Sequence, residues 1–102
     1  MSSPYPEMYP FEVNERLQRK DQLAIVDVRE PDEFAAGHIP GAKNIPLGSI
    51  PGALNLIDPQ QETIVVCQAG GRSTRACEYL SSLGYHVLNM VGGMSSWSGE
   101  ID

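Results

Sequence analysis

The apolar positions along the chain predict alternating strands and helices. Residues 23–28 are almost wholly apolar and residues 63–66 form a short β-branched run, which is typical of strands covered on both faces of a parallel sheet. Residues 42–45 and 85–90 predict two further strands. Apolar residues at three- and four-residue spacing predict helices between the strands. These helices lie at residues 10–21, 31–37, 46–57 with a break or bend at Pro51 and Gly52, between Ser73 and Gly84, and around Met94 and Trp97.

This alternation predicts an α/β fold, a single domain with a mainly parallel sheet and helices on both faces. The chain of 102 residues is long enough for one core and too short for a second catalytic domain. The first ten residues contain three prolines, so residues 1–7 are expected to form an extended lead-in.

Composition and charge exclude several classes of function. The net charge of -6 and the absence of a basic run argue against nucleic acid as a partner, since such binding depends on Lys and Arg at the phosphates. No apolar stretch approaches the roughly 20 residues that span a membrane. The N-terminus also lacks the basic and apolar regions of a signal peptide, so the expected location is cytoplasmic.

A cysteine loop lies between the strand pattern at residues 63–66 and the following helix. This position is the carboxyl end of a strand and the amino end of a helix, where unpaired N–H groups and the helix dipole favour an anion. Two glycines allow the loop to curl around a bound group. We therefore predict a nucleophilic thiolate at Cys67, ionised more readily than a free thiol of pKa about 8.5, with positive charge from Arg72 and Arg75 nearby. The loop consists of Cys67, Gln68, Ala69, Gly70, Gly71, Arg72 and Ser73.

The remaining cysteine and the two histidines are expected to be structural. Cys77 lies on the apolar face of its helix with Leu80, so we predict a buried thiol rather than a disulfide with Cys67. His38 and His86 are isolated and, with two cysteines at this spacing, match no zinc pattern. No metal site is predicted.

Four motifs together resemble the rhodanese-like domains. The resemblance covers residues 8–98 and implies a sheet of about five parallel strands between helices. It implies a sulfurtransferase of the thiosulfate sulfurtransferase type that needs no cofactor: Cys67 accepts a sulfane sulfur, becomes a persulfide and passes the sulfur to cyanide or a thiol. The motifs are Asp27-Val28-Arg29-Glu30-Pro31-x-Glu33-Phe34, Gly37-His38-Ile39-Pro40-Gly41-Ala42, Cys67-x-x-Gly70-Gly71-Arg72-Ser73 and Val91-Gly92-Gly93-Met94-x-x-Trp97.

The residues of the loop suit this chemistry. Thiosulfate is a small dianion, and backbone N–H groups from Gln68 to Ser73 would hold both the thiolate and the departing charge. The expected partners are a small anionic sulfur donor and a thiol or cyanide acceptor, with a protein donor or acceptor also possible. Asp27 and Arg29 lie near the loop in the family. We predict supporting roles for them, with Asp27 hydrogen-bonded to backbone and Arg29 paired with Glu33.

Two alternatives use the same cysteine. One is a persulfide carrier or interaction module in a sulfur relay, which would differ from the enzyme in the acceptor that it meets. The other is a cysteine phosphatase, because some phosphatases share this fold. Those enzymes place five residues between the cysteine and an arginine that grips the phosphate, whereas four residues separate Cys67 from Arg72 here. The shorter loop favours sulfur transfer.

Overall fold

A computed structural model describes residues 5–102, and the prediction for the first four residues lies outside this range. The fold is α/β with one five-stranded sheet in which all neighbouring strands are parallel, as predicted. The strand order is β1-β5-β4-β2-β3. The strands are β1 (Glu7–Met8), β2 (Ala24–Asp27), β3 (Lys43–Asn44), β4 (Thr63–Val66) and β5 (Val87–Met90).

Within residues 5–102, three α-helices and two 3-10 helical segments connect the strands, and a third 3-10 segment follows β5. The first two α-helices begin with a proline, whose missing N–H costs nothing at that position. A glutamate three residues after the cap accepts the cap's backbone N–H in each, Glu12 in the first and Glu33 in the second. The helices are α1 (Pro10–Gln18), α2 (Pro31–Ala36) and α3 (Gly71–Ser82), and the 3-10 segments are Leu47–Gly52, Leu54–Leu56 and Gly93–Ser96.

The helix predicted at residues 46–57 with a break or bend at Pro51 and Gly52 is broken into two segments, and both are 3-10 rather than α-helical. Pro51 lies inside the first of them and donates no backbone hydrogen bond, so a regular α-helix cannot pass through it. The apolar stripe still serves the core, because Ile50 and Ile57 are buried.

The core lies on both faces of the sheet. Successive residues of a strand point to opposite faces, and in β4 Val65 packs with α3 residues such as Leu80 while Ile64 and Val66 pack with Val13 of α1. Tyr5, in the predicted lead-in, is buried in the cluster on the α3 side. The strand that follows it, β1, has too few residues to show a pattern in the sequence.

The topology places several loops at one edge of the sheet. The chain leaves β2 on one side to form β3 and returns on the other side to form β4. This reversal opens a crevice at the carboxyl ends of β2 and β4, the usual ligand position in such sheets. The loops after β2, β4 and β5 meet there. Within residues 5–102, no helix combines the length and apolar character needed to cross a bilayer.

Candidate active site

The Cys67 loop curls around the sulfur atom. Cys67 directly follows β4 and is only 1% exposed. The backbone N–H of Gly70 donates to Cys67 Sγ at 3.0 Å, and the thiol donates to the Ser73 hydroxyl oxygen at 3.3 Å. Gly70 has a φ of 109°, a left-handed conformation that favours glycine. This turn reverses the chain around the sulfur and starts α3 at Gly71.

The pKa of the Cys67 thiol is below its ordinary value. Burial is the largest single influence and raises this pKa, but hydrogen bonds to the thiolate outweigh it. They come from the Ser73 hydroxyl and from the backbone N–H groups of Ser73, Gly70 and Ala69. The main lowering effect is therefore hydrogen bonding within the loop, and the arginine charge that was expected to add to it is not among the main causes.

Cys77 differs in each of these respects. It lies in α3 with its side chain in the core, as its helical position predicts, and it is fully buried. Burial, with a smaller contribution from the negative charge of Cys67, raises the pKa of Cys77 to about 12. Both cysteines are free thiols. The fold thus provides one thiol that ionises readily and one that does not.

The ion pairs differ from the predicted ones. Arg29 pairs with Asp27, with Nη2 to Oδ2 at 2.8 Å, so the prediction that it pairs with Glu33 was wrong. Arg29 and Asp27 are two residues apart and point the same way, as alternate residues of an extended chain do. Glu33 faces α3 instead and binds Arg72 through two hydrogen bonds of 2.6 and 2.9 Å.

Arg29 also connects the loop to its surroundings. Its guanidinium donates to the side-chain oxygen of Gln68 at 3.2 Å and to the carbonyl of Gly37 at 2.8 Å. The carboxylate of Asp27 accepts the backbone N–H of Arg29, as predicted. Asn44 of β3 donates to the carbonyls of both Asp27 and Arg29. The buried pair therefore holds the start of the cysteine loop rather than facing open solvent.

A second support for the loop is the Gly92–Gly93 turn after β5. The backbone N–H of Met94 donates to the carbonyl of Cys67 at 2.8 Å, and that of Ser95 donates to the carbonyl of Gln68 at 2.9 Å. A Cβ atom on Gly93 would lie 2.3 Å from the Cys67 carbonyl oxygen. No role was predicted for this turn from the sequence, although a double glycine allows such a close approach between backbones.

The other candidate residues lie around this centre or away from it. Ala69 and Gly71 are exposed, and Arg75 lies on the solvent side of α3. His38 stacks on Phe34 with ring centroids 3.7 Å apart, and its Nδ1 lies 2.8 Å from the carbonyl of that residue. These contacts hold the His38 ring against Phe34 of α2, which gives the side chain a structural role. His86 is exposed at the start of β5.

An open cleft with a volume of about 470 Å³ adjoins the loop. The polar lining of the cleft includes Gln68, Arg29 and Glu33, and its apolar lining includes Met94, Trp97 and Ile101. This cleft gives a second reactant a place beside the loop.

Known proteins resemble the chain over most of its length. The family model for the rhodanese-like domain matches residues 10–100. A sulfurtransferase of Allochromatium vinosum is 37% identical over 84% of this chain and 81% of its own length. The thiosulfate sulfurtransferase GlpE of Pseudomonas putida is 37% identical over 79% of this chain and 74% of its own.

Among solved structures, a rhodanese-like domain protein from Staphylococcus aureus superposes with a TM-score of 0.89 at 36% identity. The superposition covers 95% of this chain and 96% of the other. The family model, the sequence relatives and the solved structure agree over nearly the whole chain. This protein is a member of the rhodanese-like domain family.

Proposed function

We propose that the protein is a sulfurtransferase that carries sulfane sulfur on Cys67. The observation that supports this most directly is the loop around the sulfur: the Gly70 N–H donates to Sγ, the thiol is hydrogen-bonded to the Ser73 hydroxyl, and the pKa of the thiol is lowered. Two relatives at 37% identity are named sulfurtransferase and thiosulfate sulfurtransferase. A thiolate held by hydrogen-bond donors is the nucleophile that sulfur transfer requires.

The reaction proceeds in two displacements. In the first, the Cys67 thiolate attacks the outer sulfur of the donor, the donor's S–S bond breaks, and its electron pair leaves with sulfite or a thiolate. With thiosulfate as the donor, the outer sulfur of the Cys67 persulfide carries a negative charge, which the N–H groups of the loop stabilise. In the second, cyanide or a thiolate attacks that outer sulfur, forming thiocyanate or a new persulfide and releasing the Cys67 thiolate. Neither step needs a histidine or a metal.

The acceptor reaches the loop through the adjoining cleft. Met94, Trp97 and Ile101 give the cleft an apolar side, which suits the carbon skeleton of a thiol, including a cysteine on a protein. A persulfide carrier would use the same loop and cleft and would differ in its physiological acceptor. The free thiols are also consistent with the reducing conditions of the cytoplasm, which is the location we propose.

The phosphatase alternative receives less support. A phosphatase arginine must point into the loop and bind two phosphate oxygens, whereas both Nη atoms of Arg72 bind Glu33. Four residues separate Cys67 from Arg72, one fewer than in the phosphatase loop. Both observations favour a loop that holds a sulfur atom.

Mass spectrometry of the sulfur-loaded protein tests the proposal. After incubation with thiosulfate or cysteine persulfide, we expect a gain of one sulfur atom on Cys67, and cyanide should remove it as thiocyanate. Cys67→Ser should abolish the gain and turnover while the circular dichroism spectrum is retained. Cys77→Ser is the matched control and should still be loaded. Sulfur on Cys77 instead, or turnover by Cys67→Ser, would refute the proposal.

A further inference from the structure

We infer that Glu33 makes the loop selective for donors with at most one negative charge, so that a persulfide is a better donor than the thiosulfate dianion. This inference rests on the proposed function and concerns its substrate class. It starts from the bidentate ion pair between Glu33 and Arg72, with Nη1 to Oε1 at 2.6 Å and Nη2 to Oε2 at 2.9 Å. The pair ties the one arginine of the loop to α2.

The charge of Arg72 is balanced across the neutral pH range. The hydrogen bond from Arg72, assisted by the backbone N–H of Glu30, lowers the pKa of Glu33 to about 2, so its carboxylate remains ionised. Both side chains are about one-third exposed, at 34% and 32%, and so form part of the loop's outer rim. A donor anion that approached Arg72 would have to compete with Glu33 for the same guanidinium.

The other charges near the loop do not provide a cationic site for a dianion. Arg29 is 4% exposed and is neutralised by the buried Asp27. Glu30 and Asp32 are exposed at the start of α2 and add negative charge to the helix that carries Glu33. The donors that contact the sulfur are backbone N–H groups and a hydroxyl, which are partial charges. Arg75 is exposed on α3 and is followed three residues later by Glu78.

The two donors place different charges in this loop. Thiosulfate brings two negative charges to a thiolate that already carries one, and sulfite removes two when it leaves. With a persulfide, the Cys67 thiolate attacks the outer sulfur of R–S–SH, the S–S bond breaks, and R–S⁻ leaves with the electron pair while the proton stays on the transferred sulfur. The loop then handles a single negative charge in the reactants and in the products. Like charges that are not compensated by a cation raise the barrier for the dianion.

The test is the ratio of kcat/KM for thiosulfate to kcat/KM for cysteine persulfide. Glu33→Gln keeps the side-chain oxygen that accepts the Glu30 N–H but removes the charge that holds Arg72. We expect the ratio to rise about tenfold, because the released guanidinium can make a charge-assisted hydrogen bond to thiosulfate. Adding Arg72→Gln to this variant should remove the gain. A ratio that stays within about twofold of the wild type in a folded Glu33→Gln protein would overturn the inference.

Asp32→Asn is the matched control. It removes one negative charge from the same helix without releasing Arg72, and at 0.15 M salt an exposed charge acts over only about 8 Å. We expect it to change the ratio by less than about twofold. A rise as large as that of Glu33→Gln would show that general charge, rather than Arg72, sets the preference, and would also overturn the inference.

A measurement on the wild-type protein gives an independent answer should a variant fold poorly. For thiosulfate, kcat/KM should rise with ionic strength, because salt screens the repulsion between the dianion and the Cys67 thiolate, which no free cation of the loop compensates. A value that falls with salt would mean net attraction and would contradict the inference. Failure of the proposed function has a different signature: neither donor would load Cys67. Loading by both donors with an unchanged ratio would defeat the inference alone.

Discussion

Replacing Gly93 by alanine should disrupt the cysteine loop from outside it. The added Cβ would lie 2.3 Å from the Cys67 carbonyl oxygen and 2.7 Å from that of Gln68, and both are backbone atoms. An ordinary contact of about 3.5 Å requires the two segments to separate by about 1 Å. The hydrogen bonds from Met94 N–H and Ser95 N–H to these carbonyls, 2.8 and 2.9 Å long, would then exceed hydrogen-bonding distance.

The expected magnitude follows from these contacts. Each lost backbone hydrogen bond costs about 1 kcal/mol, and alanine at the φ of +61° of Gly93 costs about 1 kcal/mol more. We therefore expect Gly93→Ala to lower the free energy of unfolding by about 3 kcal/mol. Where the variant is still folded, the displaced loop should form the Cys67 persulfide about 100-fold more slowly, since a shift of about 1 Å at a reacting group has effects of that order.

Gly84→Ala provides the matched control. Gly84 follows α3 with a φ of +90°, but its Cβ would meet nothing within 4 Å, so only the conformational strain remains. Urea unfolding should show a loss of about 1 kcal/mol for this variant, with persulfide formation unchanged. If the two variants lose the same stability and Gly93→Ala still forms the persulfide at the wild-type rate, the close approach of the two turns does not support the loop.

Two further predictions concern the thiol and the size of the loop. Iodoacetamide should alkylate Cys67 at a pH well below that at which Cys77 reacts in the folded protein. The reason is that the pKa is lowered at Cys67 and raised to about 12 at Cys77. Equal reactivity of the two thiols at all pH values would contradict the described hydrogen bonds. Hydrolysis of aryl phosphates should remain near background, and a glycine inserted after Gly71 should weaken sulfur transfer because it moves Ser73 away from the Cys67 sulfur. If the unmodified protein hydrolyses aryl phosphates and Cys67→Ser does not, the conclusion that the short loop excludes phosphatase activity is wrong.

The sequence predicted the sheet well because its strands are buried on both faces. Such strands appear as continuous apolar runs, and β2, β4 and β5 lie within the predicted segments. β1 was not predicted, since its two residues at the edge of the sheet carry no pattern. At residues 46–57 the apolar spacing is helical and the interruption at Pro51 was predicted, but two 3-10 segments form in place of an α-helix.

The parts of the site that depend on local chain geometry could be predicted from the sequence. The parts that depend on how distant helices and strands pack together could not. The position of Cys67 between a strand and a helix, and its contacts with Gly70 and Ser73, follow from neighbouring residues. The ion pairs do not. Glu33 lies close enough in sequence to pair with Arg29, but its partner Arg72 is 39 residues away and comes within reach only in the folded chain.

The choice of partner has consequences for the chemistry. Had Arg29 paired with Glu33, Asp27 would be a buried and uncompensated charge at 1% exposure, a state that costs several kcal/mol. Arg72 would also be free to bind an anion at the loop. The observed pairing compensates the charge of Asp27, and it also leaves Arg72 unable to bind an anion without competing with Glu33. The sequence alone does not show which acidic residue each arginine pairs with. That choice decides whether the loop has a free cation or holds its anion with backbone N–H groups.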